Sequence, residues 1–301
     1  MKKILTLLLC GCILIGLLAS CGKTSNENET TDPSNGEEVE VPGEGTFYFE
    51  PIDSESVRIT GYKGSYTSHA VTIPDTLDSK KVTEIGQSAF YNYSNLTGVT
   101  IPATIVAIGE FAFAGCSSIE TIELPDGLEA IGKGAFYGCS GLKTLKMGNN
   151  VTEIGNSAFQ KCTVLESFTV SSALLTIGDA AFYMCDGLTE MTLPEGLTSI
   201  GKLAFYYCHS LASINIPASV EEIGEYAFRQ APKEEKENEE IETNEQGEIV
   251  DTYVELVVTT VPGSYGEKYM SGASNEDETT EVVDPVTENE SGSESESESE
   301  S

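Results

Sequence analysis

IGKGAFYGCSGLKTLKM, residues 131–147, is followed 23 residues later by IGNSAFQKCTVLESFTV, residues 154–170. The same Ile-Gly-x-x-Ala-Phe pattern starts at Ile85, Ile108, Ile131, Ile154, Ile177, Ile200 and Ile223, always at that spacing and without an insertion. Two further apolar columns keep the step, one through Val99, Ile122, Leu145, Phe168, Met191 and Ile214, the next through Ile101, Leu124, Met147, Val170, Leu193 and Ile216. With the Leu column that precedes them they read L-x-x-I-x-I-P, a short strand whose alternate residues face inward. Pro102, Pro125, Pro194 and Pro217 end it. A second apolar pair follows, as in Leu128 with Ile131, and Gly-x-x-Ala-Phe-x-x-Cys then makes a compact turn or short helical piece. One such unit is too small to bury its apolar side, whereas stacked units share a continuous core. The fold expected is a repeat solenoid, mainly β with some α/β character. At about 4.7–4.9 Å between strands, seven copies advance about 30 Å.

The strand and the Ile-Gly-x-x-Ala-Phe turn together closely resemble the bacterial BspA-like leucine-rich repeats, over about residues 57–231. Val71-Thr72-Ile73-Pro74 and Lys81–Ile85 resemble that family's widened first repeat, with five extra residues before Ile85. Val57–Tyr62 is expected to cap the open N-terminal edge, because an exposed edge invites pairing with other chains. The solenoid with this cap is placed at 47–231. After Phe228 comes an acidic insertion at 232–252, then a strand-like run from Tyr253 to Val261. Residues 253–273 resemble the terminal unit that closes such arrays. Residues 274–301 carry 11 acids and no base and read as a disordered acidic Ser/Glu tail.

The start of the chain carries an address. Lys2 and Lys3 precede an uncharged apolar run, Ile4–Leu18, which closes on Leu18-Ala19-Ser20-Cys21. That order reads as an export signal over 1–20, too short to span a bilayer comfortably. It resembles the lipobox of bacterial lipoproteins, which implies cleavage before Cys21 and a lipid on its sulfur. Acyl chains contribute about 0.8 kcal/mol per buried methylene, so several of them tether a protein firmly. Residues 21–46 are then the lipidated cysteine and a disordered stalk, poor in aliphatic and aromatic side chains. The location expected is the bacterial cell surface, outside the cytoplasm and held to the membrane through Cys21.

Composition removes several function classes. The formal charge is −33, with 49 acids against 16 Lys and Arg, so nucleic acid is not an expected partner. There is no Trp, and the only histidines are His69 and His209. Cys116, Cys139, Cys162, Cys185 and Cys208 fall one per repeat, forming a ladder of buried thiols and not a converging metal site. His209 follows Cys208, but the other residues of its column are Ser, Thr and Asp, so it faces solvent while the thiol faces inward. No catalytic residue, metal or cofactor is expected.

Two surfaces remain as candidate binding sites. One is the outward row of the strands, rich in small hydroxylated side chains: Thr100, Thr121, Thr144, Thr169, Thr192 and Asn215. The other is a tyrosine column after the repeat Phe, namely Tyr91, Tyr137, Tyr183 and Tyr206, with Tyr207 beside it. Tyrosine combines area with a hydroxyl and is enriched at binding hot spots, yet it equally covers the edge of a core. The family resemblance implies a non-catalytic adhesion or interaction protein; the partner expected is an extracellular protein or glycan, and the chain is expected to be a monomer. The alternative is an envelope scaffold or spacer with no dedicated ligand.

Overall fold

The computed structural model describes residues 36–64, 70–166, 168–230 and 256–272. The leader, Cys21, His69, Ser167, the acidic insertion and the tail lie outside the described residues. The described residues open with β1 (Glu37–Val41), β2 (Gly45–Pro51) and β3 (Ser56–Gly64). It continues with β4 (Ala70–Thr72), β5 (Thr76–Leu77) and β6 (Lys80–Ile85). Then follow β7 (Gly98–Thr100), β8 (Ala107–Ile108), β9 (Thr121–Glu123), β10 (Ala130–Ile131), β11 (Thr144–Lys146), β12 (Glu153–Ile154) and β13 (Thr176–Ile177). The last are β14 (Glu190–Thr192), β15 (Ser199–Ile200), β16 (Ser213–Ile216), β17 (Glu222–Ile223), β18 (Val257–Thr260) and α1 (Tyr265–Gly272).

The chain is a mostly β parallel solenoid of 23-residue turns. Its longest ladder is not the L-x-x-I-x-I strand. It is the x-Ile pair before each glycine, which runs in parallel register through β6, β8, β10, β12, β13, β15 and β17. The strands anticipated from the apolar columns do form, but in three separate sets: β4 with β7, β9 with β11, and β14 with β16 and β18. The fourth rung, Phe168–Val170, joins none of them. Phe168 puts a ring where its column elsewhere holds aliphatic side chains, and that ring lodges against Phe159 and Phe182.

The Gly-x-x-Ala-Phe-x-x-Cys segment is a turn, with two left-handed residues bracketing Ala-Phe. The second x (Ser88, Phe111, Gly134, Ser157, Ala180, Leu203, Tyr226) has φ of 51–58°, and the residue before the Cys position, which is Tyr93 in the first repeat (Asn92, Gly115, Gly138, Lys161, Met184, Tyr207), has φ of 60–75°. Non-glycine residues adopt this conformation at a cost of about 1 kcal/mol each. It is offset by hydrogen bonds running forward along the stack. Phe136 N–H donates to Ala158 O and Phe159 N–H to Ala181 O, both at 2.8 Å. The strand ladder donates backward, as in Gly132 N–H to Ile108 O and Gly155 N–H to Ile131 O, both at 2.8 Å. Each repeat is therefore bonded on its strand side to the one before and on its turn side to the one after.

Inside, Phe90, Phe113, Phe136, Phe159, Phe182, Phe205 and Phe228 stack with centroids 4.9–5.5 Å apart and planes within 9°. Near-parallel rings at this separation are offset, the arrangement aromatic quadrupoles favour. Phe47 and Tyr62 extend the column at its N-terminal end, at 5.0 and 5.1 Å.

The cap is larger than the Val57–Tyr62 strand expected, and here the stalk boundary at residue 46 needs correction. Residues 37–46 form β1 and the turn into β2, which pairs antiparallel with both β1 and β3. Pro42 and Gly43 make a type II turn: Glu44 N–H donates to Val41 O at 3.0 Å and Gly43 has φ 86°. Val39 and Val41 pack against the core, while Glu37, Glu38 and Glu40 lie along the edge strand. Arg58 ties the cap to the first repeat, bonding Glu84 at 2.6 Å and Glu50 at 3.1 Å. At the other end β18 adds in parallel to β16, and Tyr269 of α1 rests edge-on against Phe228, 6.4 Å between centroids.

Candidate functional site

The outward row of the strands is a surface. Thr100, Thr121, Thr144, Thr169, Thr192 and Asn215 are all exposed, and in β9, β11, β14 and β16 exposed residues alternate with a buried apolar one. Register sets Thr144 beside Thr121 and Asn215 beside Thr192. Thr72 lies beside Thr100, and Thr259 of β18 beside Asn215, whose Oδ1 accepts the Thr259 hydroxyl at 3.0 Å. Thr72 and Thr259 thus lengthen the row at both ends. Thr259 was not legible as a member because it follows the insertion and breaks the 23-residue count. In the middle, Lys146 and Glu123 form an ion pair across neighbouring strands.

The tyrosine column divides. Tyr91 is 51% exposed, and Tyr137 is half-buried with its hydroxyl accepting a bond from Lys161 Nζ at 2.8 Å. Tyr183 and Tyr206 are each only 5% exposed, stacked 5.7 Å apart in a small second core with Ala180 and Leu203. Tyr207 meets both edge-on, at 5.8 and 4.5 Å. These two tyrosines have most of their area committed to packing, so alanine there removes structure as well as surface.

The five cysteines are fully buried, and each thiol donates to the carbonyl of a Phe in the preceding repeat, for example Cys139 Sγ to Phe113 O at 3.2 Å and Cys185 Sγ to Phe159 O at 3.1 Å. Desolvation lifts the Cys116 thiol from an ordinary 9.0 to about 12 and raises the other four as well. A thiol that stays protonated is neither nucleophile nor metal ligand. His209 pairs with Asp186, Nδ1 to Oδ1 at 2.5 Å, in the polar column next to the thiols.

An open groove of about 510 Å³ beside the long ladder has no mark in the repeat pattern. Glu153, Asn156, Asp179, Lys202 and Glu222 are among the residues that line it. Its side chains climb from repeat to repeat: Asn156 Oδ1 accepts Asp179 N–H at 2.9 Å, Asp179 Oδ1 accepts Lys202 N–H at 2.7 Å, and Lys202 Nζ meets Glu225 at 3.0 Å. These bonds join turns and engage Asn156, Asp179 and Lys202. Among the described residues no group of three or more His, Cys, Asp or Glu is placed to hold a metal, and no helix is long and apolar enough to cross a membrane.

The BspA type leucine-rich repeat model matches residues 62–175 and 156–246 in six copies, well over half of the chain. The chain belongs to this family. A leucine-rich repeat protein of T. pallidum (TpLRR) is 29% identical with a TM-score of 0.55, over 59% of this chain and 83% of its own. A leucine rich cell surface protein from Faecalibacterium prausnitzii A2-165 is 33% identical with a TM-score of 0.56, over 64% of this chain and 52% of its own. The chain therefore spans about half the length of the Faecalibacterium protein. No curated protein sequence matches. Membership in this BspA type family implies a scaffold for protein interaction, the use to which stacked repeats with a continuous exposed face are generally put.

Proposed function

We propose that this BspA type repeat protein is a monomeric, non-catalytic recognition module, held at the bacterial cell surface by a lipid on Cys21 and binding an extracellular protein or glycan through its strand face. The observation that carries the reading is the exposed row from Thr100 to Asn215, in which strand register sets Thr121 beside Thr144 and Thr192 beside Asn215 above the buried core. A ligand meets hydroxyl and amide groups whose positions are fixed before binding, which limits the ordering cost of association. Non-catalytic action is supported by the burial that keeps the five repeat thiols protonated. Surface location is supported by the basic start, apolar run and Leu18–Cys21 ending, and by the description of the Faecalibacterium protein.

The chain from Gly22 onward, offered to arrays of extracellular proteins, glycans and whole bacterial cells, should bind a subset saturably. Uniform absence of binding by folded protein would sink the recognition reading. Anchoring has its own test: the Cys21→Ala variant should leave the membrane fraction, whereas continued membrane retention would show that the lipid is not on this residue.

A further inference from the structure

The C-terminal strand of the strand-face sheet differs from the N-terminal edge of the long ladder in one physical respect. β1 places Glu37, Glu38 and Glu40 along its length, the usual protection of an edge against unwanted pairing. β18 has none. From Leu256 to Gly266 no residue is charged, in a chain of net −33. Val257, Val261 and Tyr265 are 56%, 40% and 42% exposed, three large apolar side chains within nine residues, whereas the others of their kind are scattered singly along the solenoid.

The backbone of the same strand is half used. β18 pairs with β16 from Ser213 opposite Val257 to Ile216 opposite Thr260, and Val257 N–H donates to Ala212 O at 2.9 Å. In a parallel ladder alternate residues bond to alternate sides, so Val257 and Thr259 are bonded toward β16 while the peptide groups of Val258 and Thr260 point the other way. Among the described residues no strand lies on that side.

We propose that the outer edge of β18 is a docking site for an extended polypeptide segment of another protein, rich in β-branched residues and flanked by basic ones, which adds as the next strand. Strand addition takes its affinity from main-chain bonds and its selectivity from alternate side chains and charge. Charge selects the partner. In sequence the uncharged strand lies between residues 232–255, with ten acids and two lysines, and residues 274–301, with eleven acids and no base. A second copy carries the same net charge of −33 and is repelled, whereas a basic strand is attracted.

The test uses the chain from Gly22 onward and a synthetic peptide of alternating Val and Thr bracketed by lysines, with a glutamate-bracketed mate, titrated by fluorescence anisotropy. The lysine peptide should bind saturably and more weakly as salt is raised. Thr260→Pro removes an outward N–H, which an edge strand tolerates, and Val257→Lys adds repulsion at an exposed position. Each should weaken binding at least about tenfold at unchanged melting temperature. Should Thr260→Pro unfold the protein, Val257→Lys decides alone. Equal binding of the glutamate peptide, indifference of affinity to these variants, or a dimer of the peptide-free chain in sedimentation equilibrium would overturn the proposal.

Discussion

Phe159→Ala should lose about 3–5 kcal/mol of unfolding free energy, the range for truncating a fully buried phenylalanine. Phe159 sits mid-column, 0% exposed, between Phe136 at 5.3 Å and Phe182 at 5.4 Å, with Phe168 at 6.4 Å on its flank. Alanine preserves the backbone bonds, Phe159 N–H to Ala181 O and Cys185 Sγ to Phe159 O, so the loss comes from the ring and the gap it leaves. In a solenoid each repeat touches only its neighbours, so a defect in the middle weakens two interfaces. Phe228→Ala, at the last rung and already 7% exposed, should cost less. Urea unfolding followed by circular dichroism reads both. A loss at Phe159 below about 1 kcal/mol would mean the rings do not carry the stack.

Gly201→Ala should destabilise by about 3 kcal/mol or more, at the upper end for forced overpacking. A Cβ there would stand 2.4 Å from Asp179 N, 2.4 Å from Gly178 C and 2.7 Å from Asp179 Oδ1, and two of these atoms are backbone of the preceding turn. Relief requires separating two rungs, which strains the Gly201 N–H bond to Ile177 O at 2.7 Å. Close approach of turn to turn, not left-handed φ, is therefore why glycine follows each repeat Ile. Gly196→Ala is the control. Its Cβ would meet nothing within 4 Å and its φ is not in the left-handed region, so alanine should be neutral or add about 0.4–1 kcal/mol by stiffening the unfolded chain. Equal effects at the two positions would refute the close-approach explanation.

The inward columns were readable because burial imposes the same chemistry on every repeat: Ile85 to Ile223 and Phe90 to Phe228 have no freedom to vary. The long ladder was hidden for the opposite reason. After β6 its strands are two residues long, such as Ala130–Ile131, too short to show a period of two. The left-handed positions were hidden too, since Leu203, Met184 and Tyr226 carry no side-chain mark of that conformation, which forward hydrogen bonds impose. β1 escaped a composition argument because a strand with Glu at three of five positions becomes stable only beside β2, a partner local composition does not reveal. On the candidate surfaces, alternation correctly marked the threonines as outward. The tyrosine column was ambiguous because an amphipathic ring suits both core edge and surface, and the neighbours decided it: Leu203 and Ala180 enclose Tyr183 and Tyr206, while Tyr91 lacks such cover.

The most direct test of recognition by the strand face is an affinity ratio. A ligand found for the chain from Gly22 onward is titrated against the wild type and against the triple variant Thr100→Lys, Thr169→Lys, Thr192→Lys. All three side chains are exposed, so the variant should keep its melting temperature within a few degrees. Recognition by this face requires affinity to fall at least about a hundredfold, from loss of complementarity at three rungs. Unchanged affinity in the folded variant would contradict it and place recognition elsewhere on the solenoid.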